Sequence, residues 1–210
     1  MKKKLAIGII SILVLITGLC IGGGFYMIDY ALRPVNENLN QEDVMNRMCK
    51  SYPYIRPWLD SLQQHHALCD TFITSPDGIR MHAYYVYASH PKKETAVIVH
   101  GYTDNSVRMF HIGYLYNHSL DYNILLPDLR FSGLTEGEAI QMGWLDRKDV
   151  MQWIDLAPTL FGDSIESVVH GISMGAATTM MTSGEQLPFF IKCFVEDCGY
   201  TSVWDQFEKE

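Results

Sequence analysis

The chain has 210 residues, with 16 basic and 24 acidic side chains, a formal net charge of −8 and an apolar content of 48%. That composition suits a globular chain and excludes a disordered or collagen-like polymer and a multi-span membrane protein. The acidic balance argues against a general nucleic-acid binder, which would carry a basic face.

The sequence opens on Lys2, Lys3 and Lys4, followed by an uncharged run from Leu5 to Ile28; the first acidic residue is Asp29. A helix over such a run crosses a hydrocarbon core of about 30 Å. The lysines predict a cytoplasmic N-terminus and an extracytoplasmic domain, with residues 5–28 in the membrane. Residues 1–28 thus read as a membrane anchor; a cleaved secretory signal, or lipidation near Cys20, is the alternative. Their removal takes away three lysines and no acidic residue, leaving 13 basic against 24 acidic side chains and a net charge of −11. So acidic a remainder is not expected to lie flat on an anionic bilayer.

Residues 29–70 read as a helical lead-in. Asn38–Met48 is polar and helix-permissive, Pro53 and Pro57 are expected to break the pattern, and Trp58–Leu68 predicts a second short helix. Trp58, Leu59, Leu62 and Leu68 would form its stripe against a sheet. Cys49 and Cys69 would pair in an oxidising compartment; separate thiols are the alternative. Cys193 and Cys198 lack a second ligand pair, and His65-His66 lacks convincing ligand spacing, so neither a metal site nor a cofactor is expected.

From Thr71 the texture changes. Thr71–Thr74, a Pro76-Asp77-Gly78 turn and Ile79–Ala88 predict a hairpin. Beyond it, strands are expected at Thr95–His100, Tyr122–Pro127, Ser167–Gly171 and Ile191–Glu196. Helices are expected between them at Ser106–His118, Trp144–Phe161 and Met174–Ser183, with a further one opening near Val203. Alternation of this kind implies an α/β fold, a mostly parallel sheet with helices on both faces.

The most informative segment is Val168-Val169-His170-Gly171-Ile172-Ser173-Met174-Gly175-Ala176-Ala177, which places G-x-S-x-G between an apolar strand and a small-residue helix. A serine there sits on a sharp strand-to-helix turn, and Gly171 and Gly175 remove side chains that would collide at it. Ser173 would project its hydroxyl above the sheet as a nucleophile; the alternative is a Gly/Ser-rich turn with no chemistry. Acyl transfer also needs two backbone N–H donors aimed at the oxyanion. Met174 would supply one, and Tyr102, in the loop after Val97-Ile98-Val99-His100-Gly101, the other. His100 reads as structural. Asp128 and Arg130, in Leu126-Pro127-Asp128-Leu129-Arg130-Phe131-Ser132-Gly133, are expected to pair and fix their loop. Tyr102, Phe110 and Tyr114 are aromatic candidates for an acyl pocket, with core packing as the alternative.

These three segments, in their chain order (the His-Gly loop at Gly101, D-x-R-x-x-G at Asp128–Gly133 and G-x-S-x-G at Ser173), resemble the α/β-hydrolase fold family, and within it the serine-aminopeptidase-like branch of bacterial, often membrane-anchored hydrolases. The resemblance covers roughly residues 70–210. It implies a serine hydrolase acting on an ester, thioester or peptide bond, with Ser173 as nucleophile, Tyr102 and Met174 as oxyanion donors, and a small-molecule or peptide substrate. The family's triad runs Ser, acid, His. Here all eight histidines (65, 66, 82, 90, 100, 111, 118 and 170) precede Ser173, and 37 residues follow it. Asp197 reads as structural, with the role of catalytic acid left open. The expected organisation is therefore an anchor (1–28), a lead-in (29–70) and the N-terminal part of a hydrolase domain (71–210), C-terminally truncated before its last strands and lid. The alternative to an enzyme is a non-catalytic, membrane-tethered remnant or binding domain.

Overall fold

A computed structural model describes residues 2–34 and 40–208. The chain divides into two compact units, Met1–Val35 and Asn36–Glu210. In the first, helix α1 (Lys2–Leu32) is continuous and apolar all round, and is long enough to cross a membrane. At 1.5 Å per residue it measures about 46 Å. It outlasts the apolar run because nothing breaks a helix before Pro34; Asp29 and Arg33 pair at 2.5 Å at its end.

The second unit opens with α2 (Gln41–Ser51), whose start is set by Asn40: its side chain accepts the N–H groups of Glu42 and Asp43. The expected helical residues Asn38 and Leu39 lie outside the described residues. Pro53 opens a 3-10 turn (Pro53–Ile55), which runs directly into α3 (Arg56–Gln64). Pro57 does not break the pattern. It occupies the first turn of α3, where a missing N–H removes no helical bond. The helix ends four residues earlier than predicted, at a reversal where His66 takes φ 52°. Cys49 and Cys69 are separate thiols, as are the other three cysteines.

Strands β1 (Cys69–Thr74) and β2 (Arg80–Val86) form the expected hairpin, pairing antiparallel. There follow β3 (Glu94–Val99), a helical stretch over Val107–Ser119 whose central turn is α4 (Phe110–Tyr114), β4 (Asn123–Pro127), α5 (Asp146–Phe161), β5 (Glu166–Ile172), α6 (Met174–Ser183), β6 (Ile191–Asp197) and α7 (Val203–Glu208). The sheet order is β1-β2-β4-β3-β5-β6. β2 meets β4 antiparallel, while β3, β4, β5 and β6 run parallel.

The period-2 geometry of the strands divides the core. Ala96, Ile98, Ile124 and Leu126 pack with Trp58, Leu59 and Phe110, on the face covered by α2, α3 and α4. Val97, Val99, Leu125 and Val169 pack with Val150, Trp153 and Ile154 of α5, on the opposite face. The central strands are thus buried on both sides, which accounts for their continuous apolar runs. Among the described residues the one strand that pairs with β6 is β5, and most of the β6 side chains are exposed.

Candidate functional site

Ser173 stands between the end of β5 and the start of α6, with φ 56° and ψ −117°. An L-residue held there costs on the order of 1–3 kcal/mol, so its surroundings must impose it. Two hydrogen bonds do so: the Ser173 N–H donates to the carbonyl of Asp197 at 2.7 Å, and the Ser173 carbonyl accepts from Ala177 N–H at 3.0 Å. The flanking glycines are required by contact. A Cβ on Gly171 would overlap the carbonyl of Gly175, and one on Gly175 would overlap the carbonyls of Val99 and His100. The turn therefore presses directly on the end of β3, and Ser173 is left exposed above the sheet.

The loop after β3 comes to the same place. The hypothetical Cβ of Gly101 lies 3.4 Å from Ser173 Cβ. His100, fully buried, fastens this loop to the one after β4: its Nδ1 donates to the Gly101 carbonyl at 2.8 Å and its Nε2 accepts from Leu129 N–H at 2.9 Å. Both ring nitrogens are occupied, so His100 is a structural brace. Tyr102 and Ser173 line one open pocket of about 180 Å3, together with Met142, Met174, Tyr200 and Phe207. Of the three aromatic candidates, Tyr102 lines this pocket, while Phe110 and Tyr114 follow the packing alternative. Phe110 is fully buried in the core, and Tyr114 stacks on His118 with ring centroids 4.4 Å apart. Further walls come from the loop before α5 and the segment after β6, whose approach to Ser173 depends on sheet topology and leaves no local sequence signal.

Asp128 and Arg130 do not pair with each other. Asp128, fully buried, accepts from Ser106 N–H at 2.7 Å and Leu134 N–H at 3.0 Å, and lies 2.7 Å from His82 Nδ1. Burial alone would raise its pKa, but the bond and charge of His82 keep it below the usual carboxylate range. Arg130 points away and binds Asp149 of α5 at 2.5 Å and Asp77 of the hairpin turn at 2.6 Å. Two residues two positions apart in sequence thus brace the loop toward separate elements, and neither partner set is visible from local spacing. Beside them, the buried Asp146 accepts the Gly143 N–H at 2.8 Å through Oδ2. Burial pushes this carboxyl up to about 6.

Ser173 lacks a neighbouring base among the described residues. His170, three residues upstream, bonds through Nδ1 to the Tyr116 hydroxyl at 3.1 Å, and burial pushes its pKa down. His111 donates from Nδ1 to the Arg108 carbonyl at 2.7 Å. Asp197 lies at the end of β6 and accepts from the Cys198 thiol at 3.1 Å, which raises the pKa of that thiol. No imidazole lies within hydrogen-bond distance of its carboxylate. Among the described residues no group of His, Cys, Asp and Glu is arranged to hold a metal ion.

No protein-family model matches the chain. It is similar to the uncharacterized protein YqkD of Bacillus subtilis (strain 168), 26% identical over 134 residues that make up 64% of this chain and 43% of that protein. Among solved structures it is similar to the Pyrococcus furiosus esterase Pf2001, with a TM-score of 0.54 at 23% identity over 63% of this chain and 49% of that one. It also resembles the thioesterase domain from the curacin biosynthetic pathway, with a TM-score of 0.51 at 16% identity over 68% of this chain and 50% of that one. The chain thus spans about half the length of the proteins it matches. Together with the strand order and the Ser173 turn, these likenesses show the α/β-hydrolase fold.

Proposed function

We propose that this chain carries the nucleophile half of a serine hydrolase, which cleaves an ester, thioester or peptide bond through an acyl-enzyme at Ser173. The observation that carries this reading is the backbone of Ser173, held in a strained conformation by a bond to β6 and by two glycines with no room for a side chain. Strain of this kind persists where the surrounding structure enforces it, and it lifts the hydroxyl clear of the sheet. Ser173 Oγ would attack the carbonyl carbon, with the N–H groups of Met174 and Tyr102 stabilising the oxyanion. Met174 N–H is well suited because it opens α6, where the first N–H groups have no partner within the helix. Gly171 and Gly175 serve the turn. Asp197 supports it through its carbonyl; a role for its carboxylate as catalytic acid would need a histidine to orient. An esterase and a thioesterase domain among the structural likenesses favour a small-molecule acyl substrate, and the branch resembling serine aminopeptidases keeps a peptide in view. On the same reading α1 anchors the chain, with the N-terminal lysines cytoplasmic and the domain outside.

A second reading, a non-catalytic tethered domain, is favoured by the engagement of His100, His111 and His170 elsewhere. A fluorophosphonate probe separates the two, because its phosphorus bonds to Oγ as fluoride leaves. Slow labelling that disappears in Ser173→Ala is the expected result; absence of labelling in the parent chain over a day favours the tethered domain. Without a base, hydrolysis of p-nitrophenyl butyrate by these 210 residues is expected to fall about 10²–10⁴-fold short of a base-assisted rate.

A further inference from the structure

Beside the Ser173 turn, α2 and the helical stretch after β3 enclose a second hollow, of about 270 Å3. Two of its lining residues are close in sequence to the reaction centre. Ile172, one residue before Ser173, forms part of its wall, and Asp104, two residues after Tyr102, forms another part. The hollow differs in character from the apolar pocket at Ser173. Two guanidinium groups, Arg47 and Arg108, and the imidazole of His111 line it, against the single carboxylate of Asp104.

That carboxylate is already engaged, 2.7 Å from Arg108 Nε. Arg47 stands exposed on α2 and pairs with no carboxylate among the described residues. The hollow therefore holds a surplus of one positive charge, within a chain whose net charge is −8. His111 gives it a fixed wall. Its Nδ1 donates to the Arg108 carbonyl at 2.7 Å, and its ring lies flat on Tyr52, with centroids 4.5 Å apart and planes 5° from parallel. An unpaired guanidinium beside a stacked, immobile ring favours a planar monoanion, which it binds through two parallel hydrogen bonds. A dianion such as a phosphate monoester would meet the Asp104 carboxylate across the same hollow.

We propose that this hollow is a substrate subsite for a carboxylate, and that the molecules served by Ser173 are monoesters or similar acyl derivatives carrying a free carboxylate at the end remote from the scissile bond. The assignment rests on Ser173 being the reacting residue. It makes Arg47 a specificity determinant, with Arg108 and His111 shaping the floor that receives the anion.

The test separates binding from chemistry by using the full chain in detergent with Ser173→Ala, which removes the nucleophile. Monoethyl glutarate and diethyl glutarate are titrated and followed by NMR. The anionic monoester is expected to bind about tenfold more tightly than the neutral diester. Arg47→Gln should abolish most of that preference and leave diester binding unchanged. Arg47 is exposed, so its replacement does not threaten folding. Equal affinities for the two esters would overturn the proposal, as would a preference that survives both Arg47→Gln and Arg108→Gln. Because this readout needs no turnover, a failed subsite appears here as lost anion preference. A failed hydrolase reading appears separately, as absent fluorophosphonate labelling of the parent chain.

Discussion

At the residue scale, Asp146 shows how far burial can set a side chain against its own charge. Its carboxylate accepts the Gly143 N–H in a site closed to solvent. The carboxyl titrates near 6 in the folded chain against an ordinary value of 3.8. The folded state therefore holds the proton more tightly than the unfolded one. Stability is favoured while the group is protonated, falls as pH rises from about 4 to about 6, and stays reduced above that. A difference of that size corresponds to a penalty on the order of 3 kcal/mol at neutral pH. Asp146→Asn keeps the acceptor for Gly143 and carries no charge. It is expected to stabilise the chain by up to about that amount at pH 8 and by little at pH 4, as measured by urea unfolding at both values. An equal effect at the two pH values would mean that the charge is not the cause.

At the scale of elements, the strand–turn–helix unit of β5, Ser173 and α6 is the most tightly specified part of the chain. Gly171→Ala would drive a methyl group into the Gly175 carbonyl, and backbone cannot swing aside as a flexible side chain can. A loss of about 3 kcal/mol or more is expected by thermal or chemical unfolding, in the upper range for single substitutions. This unit was legible in the sequence because its constraints are local: two glycines, a serine, an apolar run before and small residues after. The alternation of strands and helices was legible for a similar reason, since each element satisfies its own period. Other features depended on chain paths that no spacing encodes. Arg130 reaches Asp149 and Asp77, one on a helix and one in a turn, and leaves its near neighbour Asp128 to bind backbone N–H groups. Likewise Phe110 disappears beneath α3, while Met142 and Tyr200, distant in sequence, arrive beside Ser173. Pro57 sits in the first turn of α3 without breaking it, because the effect of a proline depends on where a helix begins.

At the scale of the whole molecule, the apolar helix α1 and the acidic α/β unit have opposite solvent requirements. A helix about 46 Å long, at 1.5 Å per residue and without a polar face, is expected to hold the protein in the membrane fraction after alkaline carbonate washing. Mass spectrometry should then recover a peptide containing Lys3 and Lys4. A mature chain that begins after residue 28 would instead identify a cleaved signal. The chain spans about half the length of its relatives, and within it no histidine follows Ser173.

The hydrogen bond from Ser173 N–H to the Asp197 carbonyl ties the most strained residue in the turn to β6, an edge strand among the described residues. Margins of sheets open and close at small free-energy cost, long before the centre melts. Each time β6 peels from β5, the serine loses one of the bonds that fix its torsions and can relax toward an ordinary conformation. The reactivity of the site then follows a fluctuation: gentle warming would quench Ser173 while the rest of the domain still stood, and whatever zips β6 more firmly onto the sheet would sharpen the serine from the far side of the turn.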